Sequence, residues 1–207
     1  MVHKDIIVNF DDEFSSKKDW INVHLWLLYT DALEVRNTIY IFKVVDREWN
    51  RKVEDKEYIG YSCLRTTLFD ALPYRIVLGL SKLFVRSDDY ILIKTCNIIS
   101  QMDEYKNCIE VKNVIEKINT CIKASDMIEN IYILRDKFFA HLDRKSVISE
   151  YRIDASKAMK YLDVNELDKL IGLMGDLYCA CTKEKITVNA EYPLDSDIIQ
   201  MFFAKYN

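Results

Sequence analysis

The residues best suited to chemistry lie in one short string, Leu134-Arg135-Asp136-Lys137-Phe138-Phe139-Ala140-His141-Leu142-Asp143-Arg144-Lys145. Histidine is scarce, with three copies: His3, His24 and His141. His3 lies near the N-terminus and His24 sits between apolar neighbours, where packing is its ordinary role. His141 instead follows Arg135 and Lys137 in a charged stretch. An imidazole moves a proton near neutral pH. A guanidinium stays charged and grips a phosphate through two parallel N–H bonds. Together they suit RNA cleavage without a metal. The ribose 2′-hydroxyl attacks, the arginine stabilises charge growing on the phosphate, and the histidine carries the proton. DNA lacks that hydroxyl.

Helical geometry sets how these groups meet. Lys137 and His141, four residues apart, share a face, whereas Arg135 and His141, six apart, sit about 120° from each other on adjacent flanks. A cleft against another helix, or against a second copy of this one, would collect both. The same residues also have a purely structural reading. An Arg–Asp pair can be an internal ion pair, and a histidine near a helix C-terminus is favoured by the helix dipole.

The longer string Arg135-Asp136-Lys137-Phe138-Phe139-Ala140-His141-Leu142-Asp143 resembles the signature of the HEPN superfamily, an Arg followed by a polar residue and then, a few positions on, a His. Its fuller form is similar to the U-type abortive-infection branch. The motif match covers about nine residues, and the order of helices extends it to most of the chain. The resemblance implies an all-α, up-and-down bundle with long antiparallel helices. It implies Arg135 and His141 as the catalytic pair, with Asp136 orienting them. Lys137 would contact RNA phosphate, and Asp143 would cap or orient His141; Arg144 and Lys145, which follow the motif, read either as tracking an RNA backbone or as a solvated charged turn. It also implies a homodimer formed through the motif helix, a nucleotidyltransferase-like antitoxin as a partner, and no metal or other cofactor. The activity implied is that of a ribonuclease in a toxin–antitoxin or phage-defence system; a non-catalytic helical module binding a nucleotide, RNA or a partner protein is the alternative.

Helices must position this motif, and the sequence is built for them. Only 4 glycines and 2 prolines occur among 207 residues, too few for the turns of an all-β fold. Residues 1–15 read as an N-terminal arm and 16–207 as a single helical domain. Ser16 and Asp19 mark a helix start, and the apolar spacing of Trp20, Val23, Leu25, Leu27, Leu28, Ala32 and Leu33 carries that helix to about Trp49. A second helix spans Tyr61 to Val85, with Pro73 predicted to kink or break it near Leu72. Ser87 caps a third, ending near Met102. A fourth covers Asp103 to Lys123, with Ile109, Val111, Val114, Ile115 and Ile118 inward. Ser125 caps the motif helix, which ends at His141. Residues 142–160 are polar and irregular. Asp163 or Asn165 caps a last long helix to about Lys183. Residues 185–192 form a short strand or loop, and Asp195 and Ser196 cap a final helical turn.

Composition narrows the function classes. With 29 basic and 33 acidic residues, net charge −4, the chain is not a general nucleic-acid coat, though a local basic cleft is compatible. The six cysteines, Cys63, Cys96, Cys108, Cys121, Cys179 and Cys181, are scattered and read as reduced thiols of a cytoplasmic protein. No stretch of about 18 uncharged apolar residues suggests a membrane span, and no signal-peptide pattern opens the chain. Arg65, Asp70 and Arg75 read as internal salt-bridge partners, and Tyr151 and Tyr161 as packing residues near the motif. There is no phosphate-binding Gly-rich loop, no His-Glu-x-x-His and no Gly-x-Ser-x-Gly.

Overall fold

Thirty-eight consecutive residues, Lys17–Glu54, form one helix, α1, about 57 Å long at the usual rise. Its start is capped: Ser16 Oγ accepts from the backbone N–H of Asp19 at 3.1 Å. In the computed structural model of the chain, the described residues are 16–56, 62–84, 91–128, 130, 131, 135, 162–186 and 191–203. Every described element is an α-helix; among these residues there is no strand. After α1 come α2 (Ser62–Phe84), α3 (Leu92–Gln101), α4 (Ile109–Lys123), α5 (helical at 126–128, 130, 131 and 135), α6 (Val164–Thr182) and α7 (Asp195–Phe203).

Because α1 is apolar around much of its circumference, the other helices assemble on it. It packs against α2, α3, α6 and α7, while α4 packs on α6. Local pairings set the directions. Gly79 lies against Val35, and Lys82 lies near Asp31, so α2 runs antiparallel to α1. Lys43 Nζ reaches the carbonyl of Leu162 at 2.6 Å, Arg36 meets Asp168, and Tyr29 touches Gly175, so α6 is also antiparallel to α1. Glu110 pairs with Lys183 and Ser125 with Glu166, which turns α4 antiparallel to α6. One core joins α1 to α6, with Ile21, Leu25, Ile39, Ile76, Leu80, Leu92, Ile118, Ile131, Leu167 and Leu170 at 1% exposure or less. Each such side chain contributes roughly 1.5–3 kcal/mol relative to exposure. A small second cluster, Val44 and Val45 with Ile198, seats α7 on the end of α1.

Several boundaries differ from the sequence reading, each for a local reason. Helix α1 does not stop at Trp49, because Arg51 bridges Glu48 and Asp55 at 2.7 Å each and carries the charged segment one turn further. Helix α2 continues through Pro73. The proline removes one helical hydrogen bond, but Ile76, Val77, Leu80, Leu83 and Phe84 are all buried beyond it and hold the helix in place. Ile91 is extended immediately before α3, so that helix begins at Leu92 rather than Ser87, which lies outside the described residues. Residues 103–107 are turns, not the first turn of α4. Ile109 is 73% exposed, since it lies about 200° around the helix from Val111. On α1, Val23 and Leu27 face outward beside Trp26 rather than into the core. Helix α7 is nine residues, longer than a single turn. Residues 184–186 and 191–194 are irregular, with no strand among them. The arm 1–15 and the segment 142–160 lie outside the described residues. No helix among the described residues is long and apolar enough to cross a membrane.

The tightest helix contact is at Gly79, where an added Cβ would fall 2.2 Å from Val35 Cγ2. Val35 is β-branched and stiff, so it cannot swing aside freely. Gly79→Ala is expected to destabilise the fold by about 1–3 kcal/mol in denaturant titrations. Adding Val35→Ala should recover part of that loss, since removing the valine methyls opens room for the new Cβ. Additive losses in the double variant would contradict this account of the contact.

Candidate functional site

The candidate motif begins at a well-anchored helix start. Ser125 Oγ accepts from the Ile128 N–H at 3.4 Å and donates to Glu166 Oε2 at 2.6 Å, tying the first turn of α5 to α6. Ser125 is the cap that the sequence suggests. Met127, Ile128 and Ile131 are buried. Arg135 follows at the i+7 position from Ile128 and i+4 from Ile131, so it continues the stripe that these residues insert into the core. It is helical and half-buried, and it has an interaction partner within the chain. A cation on the inward stripe of an apolar helix is placed for a specific partner rather than for solvation.

The remaining motif residues, Asp136, Lys137, His141, Asp143, Arg144 and Lys145, lie outside the described residues, as do Tyr151 and Tyr161. So does His3. Arg75 is on the surface, paired with Glu34 at 3.0 Å. His24 is 6% exposed and stacked on Trp20, with ring centroids 4.5 Å apart. It is the packing histidine its sequence context suggests. Cys96 and Cys181 are buried free thiols, pushed up to about 12 by burial, which leaves them unreactive at neutral pH. Among the described residues no three metal-binding side chains come together.

The most developed polar constellation in the described structure is one that sequence reasoning missed. Arg36, 4% exposed, donates from Nη1 to Asp168 Oδ1 at 3.2 Å and from Nη2 to Asn37 Oδ1 at 2.8 Å and the Glu191 carbonyl at 3.4 Å. Its guanidinium lies 4.1 Å from the centroid of the Tyr192 ring. Tyr192 donates its hydroxyl proton to Asp168 Oδ2 and packs against Tyr40. Tyr40 in turn donates to Asp195 Oδ1 at 2.6 Å, and Arg47 holds Asp195 Oδ2 at 2.6 Å. Burial, then the bond to Asp168, pushes the Tyr192 hydroxyl up to about 12. The hydrogen bond from Tyr40, then that from Arg47, holds Asp195 below the usual carboxylate range. The cation is therefore satisfied on every side, and its evident work is to tie residues 191–195 and α6 to α1. The signal that could have found it is its spacing. Arg36 lies four residues after Ala32 and three before Ile39, on the buried stripe of α1, just as Arg135 does on α5.

No known protein family, curated protein or solved structure matches this chain.

The buried histidine gives a pH signature. Burial lowers the His24 pKa from 6.5 to about 4. Between those values the unfolded chain takes up a proton that the folded chain excludes. Stability from this residue is therefore complete above about pH 6.5 and is lost as the pH falls toward 4, by about 2 kcal/mol between pH 7 and pH 5. Urea titrations at the two pH values should show that drop, and His24→Phe, which keeps a stacked ring on Trp20, should lack it. An equal pH dependence in both proteins would refute the assignment.

Proposed function

We propose that this chain is a metal-independent RNA endonuclease of the HEPN kind, acting in a toxin–antitoxin or abortive-infection phage-defence system. The observation that carries the reading is Arg135, a half-buried cation on the inward stripe of the motif helix. Such a site suits an arginine whose planar guanidinium is held in a fixed orientation for bidentate contact with a phosphate. In the proposed reaction the 2′-oxygen attacks the adjacent phosphorus and displaces the 5′-oxygen. Arg135 binds the phosphate oxygens as their charge grows. His141 takes the 2′-proton or protonates the leaving 5′-oxygen, and water carries the other proton, so that one proton leaves the 2′-hydroxyl and one reaches the 5′-oxygen. Asp136 orients the pair, Asp143 orients His141, and Lys137, Arg144 and Lys145 contact the RNA backbone. The products are a 2′,3′-cyclic phosphate and a 5′-hydroxyl, with no nucleophile or cofactor from the protein. Through the same resemblance, two motif helices from two copies would line one cleft, and a nucleotidyltransferase-like antitoxin would be the partner that restrains the enzyme in the cytoplasm.

A second reading is a non-catalytic helical module that binds a nucleotide, RNA or a protein. The acidic balance of 33 carboxylates against 29 basic residues favours it over a broad RNA-binding surface. Incubating the protein with RNA in EDTA separates the two. The nuclease reading expects cleavage that survives the chelator and leaves cyclic phosphate ends. Arg135→Ala and His141→Ala should each lower the rate by about 10²–10⁴-fold. A folded wild-type protein that cuts no RNA, or a His141→Ala protein of full activity, would leave only the binding module.

A further inference from the structure

Glycine is rare here, yet two of the four glycines, Gly172 and Gly175, fall inside α6. A glycine within a helix lowers its stability relative to alanine, so it calls for a reason. Gly79 has one, the contact with Val35. Gly175 lies against Tyr29, at ordinary contact distance for a Cβ. Gly172 has none among the described residues: it is exposed, and a Cβ built there would meet none of them within 4 Å. Asn165, Lys169, Gly172 and Asp176 form one exposed stripe along the helix. Helices α1 and α4 take the other sides of α6.

The charges on this stripe are arranged about the glycine. Lys169 precedes Gly172 by three residues and Asp176 follows it by four. Separated by two turns, about 10 Å along the axis, they are too far apart to pair with each other. If the helix is turned end for end about a two-fold axis beside Gly172, Lys169 of each copy meets Asp176 of the other. The stripe is thus complementary in charge to itself, as an interface related by two-fold symmetry requires. The missing Cβ lets the two backbones approach closely at the crossing point.

We infer that the outer face of α6 is an interface between two copies of this chain, packed antiparallel about a two-fold axis beside Gly172. This face is distinct from the motif helix, and the inference does not depend on the nuclease reading.

Sedimentation velocity across the micromolar range tests it with variants that the fold tolerates. The wild-type chain should show a concentration-dependent dimer. Gly172→Leu places its side chain in open space in the single chain, so it should keep or raise the melting temperature while abolishing the dimer. Lys169→Asp should weaken the dimer about tenfold by setting two carboxylate pairs against each other. The swap Lys169→Asp with Asp176→Lys should restore it. A wild-type chain that stays monomeric throughout would overturn the inference. So would a Gly172→Leu protein whose concentration-dependent association is the same as the wild type's, whereas loss of one association step with a motif-helix dimer left standing would agree with it.

Discussion

Helix α1 buries apolar side chains along its whole length, and four other helices pack on it to cover them. Trp20, Ile21, Leu25 and Leu28 begin the buried surface, and Val35, Ile39, Phe42 and Val45 extend it along the whole helix. No single partner helix can cover so wide a stripe. Helix α2 takes one flank, closing to backbone distance at Gly79, and α6 takes the next. Helix α7 covers the C-terminal end. Helix α4 meets α6 and shares the same continuous core. The uncovered remainder, Val23, Trp26 and Leu27, is what this division of α1 leaves over.

Arg36 shows how such a core admits a charge. Burying a lone cation would be prohibitive, so the surroundings supply a carboxylate, an amide, a carbonyl and an aromatic face together. The carboxylate comes from α6, and the carbonyl and ring come from residues 191 and 192. One buried guanidinium thereby orients α6 and the C-terminal segment relative to α1.

Most of the helices were legible because each carries its own signal. The Ser16 and Asp163 caps and the scarcity of glycine and proline are local features, and the structure places both caps as read. Long-range effects were not legible. Pro73 breaks a helix only where nothing beyond it holds the chain, and five buried residues do hold it. Val23, Leu27 and Ile109 look like core residues by type, but their faces lie away from any partner. The spacing of Arg36 on the stripe of α1 marks it as buried but does not name its partners, one of which lies 155 positions away. The motif itself was read from its residue types, and Arg135 alone of its members lies within the described part of the fold.

The functional account rests on Arg135 and His141 acting as a single unit on one phosphate. Groups that serve one transition state do not contribute independently: once either is gone, removing the other costs little more. The decisive measurement is the single-turnover RNA cleavage rate of Arg135→Ala, His141→Ala and the double variant, each shown to be folded. The account predicts that the double variant falls to the same floor as the weaker single variant. Losses that multiply, with the double variant slower by the product of the two, would mean the residues act separately and would contradict it.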